Sequence, residues 1–335
     1  MRGEVEVTTV ADDLVVCHEG AAVHRFVDLE PDTEQEVCGR RVRTLPRPGR
    51  LLCRVATVND LHLGEVECGR IEGLDIGPVL RSEPGEEPYP VTMSRGAVEE
   101  IAAIEPAAVV AKGDLTAHGR PEEARAFDDL YRTRFGGRLL AVRGNHDGTA
   151  MPDAAGPRFV EVPGACVAVL DTTEPGRAGG RVPDEQLDWL DALTAASDRP
   201  VLVFGHHPLW DPVAPRAVAG GFELDPESSA RLVELAVRRP AMSGYFAGHT
   251  HRNRVLRLAD TGDVPWAEVA CVKDFPGSWA EYRIYDGGAL QVHHRTSTPD
   301  ALRWSERCRA MIAGMYPAYA FGSLDDRCFA IGWRQ

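Results

Sequence analysis

The chain has 335 residues, 44% of them hydrophobic, enough to bury a full core as one large domain with an appendage or as two moderate ones. Its 37 Lys and Arg against 51 Asp and Glu give a formal net charge of -14, which argues against a protein that wraps nucleic acid by bulk electrostatics. A small anionic substrate stays open if metal ions reverse the charge locally.

Residues 1–50 alternate apolar and polar positions in VEVTTV, LVVCHEG and RRVRTL and read as a small N-terminal β segment of short antiparallel strands. Leu29-x-Pro31-x-Thr33-x-x-x-Val37 is similar to the loop-to-strand signature of a fibronectin type III module, with Gln35 where a tyrosine is usual. A complete sandwich of that kind needs about 100 residues, so the segment is at most part of one and packs against the body or a second subunit. A homodimer therefore stays open.

From Leu51, strand-like and helix-like runs alternate: LLCRVAT, SRGAVEEIAAI, AAVVAKG, PEEARAFDDLYRTRF and RLLAV. CVAVLD, PDEQLDWLDALTAA, PVLVFG, ESSARLVELAVRR and GYFAG continue the rhythm, with Pro183 suited to the first turn of its helix. RVLRLAD, WAEVACV, AEYRIYD and LQVHHR then follow as strands without intervening helices. This order predicts an α/β fold with a pair of sheets flanked by helices over 51–295, paired in parallel early and antiparallel late. Residues 65–91 and 209–225 are irregular insertions placed to overhang a site. The tail, 296–335, reads as a C-terminal helical cap in which Tyr316, Tyr319, Phe321, Phe329 and Trp333 bury against the body.

The eight cysteines contain no C-x-x-C pair and read as reduced thiols. The start, MRGEVEVTTVADD, lacks the apolar core of a secretory signal, and no stretch approaches about 18 uninterrupted apolar residues. The expectation is a cytoplasmic protein with no membrane segment.

Five short motifs fall just after strand-like runs, at the carboxyl ends where open α/β sheets build their sites. They are Asp60-Leu61-His62, Gly113-Asp114, Gly144-Asn145-His146-Asp147, Gly205-His206-His207-Pro208 and Gly248-His249-Thr250-His251. Imidazole and carboxylate suit Mn, Fe or Zn, and no cysteine in the motifs speaks for an iron–sulfur cluster. On continuing strands, the period-two spacing of Asp60 with His62 and of His249 with His251 would turn each pair to one face. A residue touching two ions should be a carboxylate, and Asp114 is the candidate.

The motif series resembles the calcineurin-like metallophosphoesterase superfamily and, within it, the bacterial cyclic-nucleotide phosphodiesterase group, over about residues 52–295. The resemblance implies a four-layer αββα sandwich with two mixed sheets. It implies two divalent metal ions, one held by Asp60, His62, Asp114 and His251 and the other by Asp114, Asn145, His206 and His249, with a metal-bridging hydroxide as nucleophile. It also implies that His146, oriented by Asp147, donates a proton to the leaving group or hydrogen-bonds it. Asn59 and Lys112 depart from the usual pattern, where a serine and an apolar residue or serine are common, without removing a ligand.

With two ions, two aspartates and a hydroxide, the site carries about +1, which attracts a phosphate ester. A phosphodiesterase of small diesters such as cyclic nucleotides is favoured. The alternatives are a phosphatase or pyrophosphatase with the same metals, or a non-catalytic scaffold, which missing ligands would favour. Motif neighbours offer Lys112, Arg143 and Arg252 as further cations. His207 reads as a substrate contact or as packing, His118 as a loop histidine that reaches substrate or serves solvent or backbone, and His293 and His294 receive no role.

Overall fold

The computed structural model describes residues 5–71, 73–211 and 221–334, so most of the second insertion lies outside the described residues. The N-terminal segment forms an antiparallel sheet of β1 (Glu6–Val10), β2 (Val15–Glu19) and β3 (Ala22–Phe26), followed by a hairpin of β4 (Glu34–Val37) and β5 (Arg40–Arg43). Val10, Val15 and Cys17 of the sheet pack on Val37 and Val42 of the hairpin around a small core that Cys328 closes.

The body begins with β6 (Leu51–Val58), α1 (Tyr89–Ala103) and β7 (Ala108–Lys112). A helix, α2 (Pro121–Phe127), runs through a π-helical turn at Asp128–Arg132 into α3 (Thr133–Phe135), and β8 (Leu139–Val142) follows. Next come β9 (Arg158–Val162), β10 (Ala165–Val169), α4 (Asp184–Ala196), β11 (Val201–Phe204), α5 (Pro226–Arg238) and β12 (Met242–Ala247). β13 (Arg254–Arg257), β14 (Pro265–Glu268), β15 (Ser278–Tyr285) and β16 (Gly288–Arg295) lead to the tail, α6 (Pro299–Cys308), α7 (Tyr316–Ala320), α8 (Leu324–Arg327) and β17 (Phe329–Gly332). Local chemistry explains several starts. Pro226 opens α5 behind Asp225, whose side chain accepts from the Glu227 and Ser228 N–H groups, and Pro183 precedes an acidic first turn in α4.

Two six-stranded mixed sheets result, ordered β17-β16-β15-β6-β7-β8 and β13-β14-β12-β11-β10-β9. Val55, Ala108, Val110 and Val142 of the first meet Val167, Leu202, Phe204 and Phe246 of the second. The alternate residues, Ala56, Val58, Val109 and Ala111, turn outward to Met93, Ala97 and Ile101 of α1, while Ala168, Val201 and Val203 turn to Leu187, Leu190, Leu232 and Leu235 of α4 and α5. Burial on both faces is why these strands read as nearly continuous apolar runs. The four layers are those the motif resemblance implies.

Two details differ from the order read off the sequence. β14 pairs parallel with β12, while its neighbour β13 runs antiparallel at the sheet edge, so the late strands are not uniformly antiparallel. The tail supplies an edge strand as well as helices: β17 pairs antiparallel with β16, and Tyr319 is 47% exposed. A short strand with Phe329 and Ile331, followed by Trp333, carries the same apolar signal as a capping segment. Among the described residues no helix is long and apolar enough to cross a membrane, and all eight cysteines are free.

A buried ion cluster ties the N-terminal segment to β15. Arg283 donates to Asp12 (2.7 Å), Asp13 (2.6 Å) and Glu281 (3.2 Å), and Arg47 also reaches Asp12. Burial opposes ionisation of Asp12 and Glu281, but the hydrogen-bonded cations and His294 outweigh it, leaving Asp12 below its usual value and Glu281 at about 2. Their contribution to stability is thus complete above the unfolded carboxyl range near 4 and is lost as pH falls through the lower folded values. Arg283→Met should destabilise the protein by about 3–5 kcal/mol, because it strands buried carboxylates. Denaturant titration at pH 7 checks this, and a loss under 1 kcal/mol would mean the cluster behaves as a surface pair.

Candidate metal centre

The five motifs begin at the carboxyl ends of β6, β7, β8, β11 and β12, which run parallel within their sheets and so deliver their loops to one rim. The loops interlock. The Asp60 N–H donates to the Gly113 carbonyl (3.0 Å), and the Leu61 and His62 N–H groups both donate to the Asp114 carbonyl (2.8 and 2.9 Å). The His249 N–H donates to Asp60 Oδ2 (2.9 Å) across the gap between the sheets.

The expectation that strand periodicity aligns the ligand pairs does not hold. β6 stops at Val58 and β12 at Ala247, and the ligands lie beyond them in the left-handed region: Asp60 φ 52°, His62 45°, Asp114 49°, His249 69° and His251 55°. Such a backbone in non-glycine residues is costly and gathers where a site over-determines it. The paired side chains converge because alternate residues in each loop are left-handed. Gly113 and Gly144 allow the close approach: a Cβ at Gly113 would stand 2.5 Å from His206 Nδ1, and one at Gly144 2.2 Å from Asp114 Oδ1.

All seven expected ligands meet at this rim. Asp60, His62 and His251 bring ligand atoms within 4.8 Å of one another, as do Asp60, Asp114 and His206. Asp114 Oδ2 lies 3.6 Å from His62 Nε2 and 3.4 Å from His206 Nε2, and His206 Nε2 lies 3.3 Å from Asn145 Oδ1 and 3.0 Å from His249 Nδ1. Asp60 Oδ1 is 3.6 Å from His251 Nε2. His206 Nδ1 donates to the Lys112 carbonyl (2.8 Å), which turns Nε2 toward the cluster, the orientation in which metal-binding imidazoles are held.

The electrostatics fit cations. Burial opposes charge on Asp60 and Asp114, yet His251 and His206 beside them hold both carboxyls below the usual range. Burial likewise opposes charge on His206, and the two carboxylates overcome it, lifting that imidazole to about 9, while burial keeps His62 and His249 at about 3. Asp60 Oδ1, His62 Nε2 and His249 Nε2 are buried without a hydrogen-bond partner. Buried polar atoms are seldom left so, and neutral imidazole with carboxylate is a donor set that divalent ions complete.

The neighbours of the ligands do work that the sequence did not reveal. Asn59 Nδ2 donates to Asp60 Oδ2 (2.6 Å) and to the Val269 carbonyl (2.9 Å), which accounts for an amide at that position. Lys112 is fully buried and spans the sheets to donate to the Ala247 carbonyl (2.7 Å); burial draws its ammonium down to about 7 against the opposing pull of Asp60. Arg143 pairs with Asp171, and Arg252 grips both oxygens of Glu268 (2.8 and 3.1 Å). Each of the three motif-adjacent cations is therefore committed elsewhere.

His146 is exposed at the rim, its ring 4.8 Å from that of His62, with Nδ1 2.9 Å from the Ala117 carbonyl. Asp147 does not orient that ring. It is fully buried and accepts from the Thr116 N–H and hydroxyl (both 2.8 Å) and the Gly144 N–H (2.7 Å), clamping the Asp114 loop to the Asn145 loop. Burial, reinforced by the Asp114 charge, pushes its carboxyl up to about 6. His207, expected as a substrate contact, is also fully buried, with ring nitrogens on the Thr172 hydroxyl (2.7 Å) and the Ala178 carbonyl (3.1 Å). It packs between His206 and His249 (ring centroids 4.8 and 4.7 Å apart) and supports them. His118 hydrogen-bonds Glu123 (3.0 Å), and His293 and His294 lie in β16, on Ser278 and Glu281. Glu65, Lys273 and Asp274, which line the space beside His251, were missed because they belong to no motif; the position of Glu65 three residues after His62 was the one available signal.

The profile of the family described as calcineurin-like phosphoesterase matches residues 53–253. Among curated proteins, the chain is 33% identical over 165 residues to glycerophosphodiester phosphodiesterase GpdQ of Enterobacter lignolyticus, covering 44% of this chain and 56% of that one. It is 31% identical over 163 residues to a cAMP/cGMP dual specificity phosphodiesterase of Mycobacterium tuberculosis, covering 44% and 49%. The matches thus span about half the length of these relatives. Among solved structures, a dimetal phosphatase from Danio rerio superposes with a TM-score of 0.56 at 15% identity, over 73% of this chain and 97% of that one, a likeness of fold. With the match extending over more than half of its length and the five motifs gathered at one rim, the chain belongs to the calcineurin-like phosphoesterase family.

Proposed function

We propose that the chain is a hydrolase of small phosphodiesters, cyclic nucleotides among them, that works with two divalent ions sharing Asp114. The observation that supports this is the place of Asp114, whose Oδ2 stands 3.6 Å from His62 Nε2 on one side of the cluster and 3.4 Å from His206 Nε2 on the other. Asp60, His62, Asp114 and His251 would hold one ion, and Asp114, Asn145, His206 and His249 the other. When bound, two such ions supply charge for the phosphoryl oxygens and acidify a water that serves as nucleophile.

The protein's own groups fill the remaining roles. Asp147, Asn59 and Lys112 keep the ligand loops in register, which fixes the direction of attack on the phosphorus. His146 is the group able to serve the leaving oxygen. As an imidazolium it keeps Nδ1–H on the Ala117 carbonyl and offers Nε2–H to the departing alcohol. The preference for diesters follows from charge. A diester brings one negative charge and a monoester close to two, and Lys112, Arg143 and Arg252 are each engaged by other groups and leave the second charge unmatched.

Three outcomes are expected. Asp114→Asn should lower the bound metal at both positions, whereas His62→Ala should lower it chiefly at one; elemental analysis of a fully active enzyme with a single tightly held ion would refute the shared carboxylate. His146→Ala should keep its metal and lose turnover by roughly 10²–10⁴-fold, with a smaller loss for good leaving groups. Equal losses for p-nitrophenyl and alkyl leaving groups would show that His146 positions the phosphate without donating a proton. Bis(p-nitrophenyl) phosphate should be hydrolysed with a higher kcat/KM than p-nitrophenyl phosphate, and a monoester preference of about tenfold, 1.4 kcal/mol in transition-state binding, would replace the diesterase reading with a phosphatase.

A further inference from the structure

A cavity of about 520 Å³ opens beside the metal centre, with His251, His118, Glu65, Lys273, Asp274 and Tyr316 in its wall. Its volume lies in the range of small-molecule sites, roughly 300–1,000 Å³. Five stretches of the chain build it: the first insertion, the loops that carry His118 and His251, the segment between β14 and β15, and the tail. His118 follows Ala117, whose carbonyl holds His146, so a group seated in the cavity lies next to the reacting end of an ester.

The polar groups of the wall are arranged in one sense. The Tyr89 hydroxyl donates to Glu65 Oε2 (2.7 Å), and the Lys273 ammonium pairs with the same oxygen and stands 3.8 Å from Asp274 Oδ2. The Tyr316 hydroxyl (2.8 Å) and the Cys271 thiol (2.9 Å) donate to Asp274 Oδ1, and Trp304 Nε1 fixes the Lys273 carbonyl (2.9 Å). One oxygen of each carboxylate is thereby occupied. Among the described residues the other, Glu65 Oε1 and Asp274 Oδ2, accepts no hydrogen bond, and neither is sealed from solvent. Lys273, 5% exposed, spends its charge between these two carboxylates. Arg70, the other cation of the lining, is bound to Glu67. Glu67 is held by Arg81 as well, so the local imbalance lies at Glu65 and Asp274, two carboxylates that share the single charge of Lys273.

We infer that this cavity selects the alcohol part of the substrate, taking a group that carries hydroxyl or amine donors and is neutral or cationic, and turning away groups that carry a second negative charge. The assignment rests on the phosphodiesterase reading and sharpens it. The metals draw the phosphate in, while the wall beside them discriminates against anionic appendages such as a further phosphate or a carboxylate.

The test uses three p-nitrophenyl phosphodiesters that share a leaving group and differ in the second alcohol: choline, ethylene glycol and 3-hydroxypropionate. Metal-loaded enzyme should hydrolyse the choline and glycol esters with a kcat/KM at least about tenfold above that of the carboxylate ester, a modest effect for unit charges at close range away from bulk water. Glu65→Gln and, separately, Asp274→Asn should each shrink that ratio at least about threefold with metal content and melting temperature checked in parallel. Ratios within a factor of about two for the wild type, or ratios unmoved in both variants, would overturn the assignment. Calorimetry with phosphocholine and 3-phosphonopropionate gives a readout that needs no turnover. Preferential binding of phosphocholine in an enzyme inert to bis(p-nitrophenyl) phosphate would sustain the cavity's selectivity and reject the diesterase reading, whereas active hydrolysis with equal binding would do the reverse.

Discussion

Asp60 and Asp114 are buried side by side at the ends of two parallel strands, and the rest of the rim answers that placement. Two carboxylates out of water and close together repel each other and lack solvation, so the protein must surround them with donors or cations. It supplies the His249 and His146 N–H groups, the Asn59 amide and the imidazoles of His206 and His251. Even so, Asp60 Oδ1 has no hydrogen-bond partner. A cluster built to this pattern is incomplete as a purely structural network, and divalent cations supply the charge that it lacks.

Holding such a cluster open requires stiffness beneath it. The left-handed residues that aim the ligands would relax if their loops were free, and the interlocking N–H donors to Gly113, Asp114 and Asp60 prevent that. Asp147 clamps two loops of one sheet, and Lys112 spans from that sheet to the end of β12, two residues before His249. His207, packed between two ligands, is part of the same scaffold. The strain and the supports belong together, because each support is a buried polar group that makes sense only with its loop in place.

The sequence made the layers and the cluster at the rim legible for the same reason. Strands buried on both faces give apolar runs such as AVVA and VLVF, and the residues just beyond them carry the chemistry, so Asp60, Asp114, Asn145, His206 and His249 could be read in order. The reason for their convergence was not legible, since period-two spacing looks the same on a strand and in a loop with alternate left-handed residues. Adjacency in sequence suggests contact with the site for Asp147 and His207 but does not show which way a side chain faces, and here both turn inward, to Thr116 and Thr172. β14 and β17 illustrate another limit: pairing direction and edge membership depend on crossovers that local pattern does not encode.

The contribution of α6, α7 and β17 has a bearing on how the protein comes into being. Every motif is complete once His251 has been synthesised, yet one wall of the adjoining cavity waits for Tyr316, and the β16 edge stays unpaired until β17 arrives. During synthesis there is therefore an interval in which the motifs are present but the cavity lacks one wall and the β16 edge is available to any neighbouring chain. Tail docking completes the cavity wall and covers the β16 edge together, in a single late step of assembly.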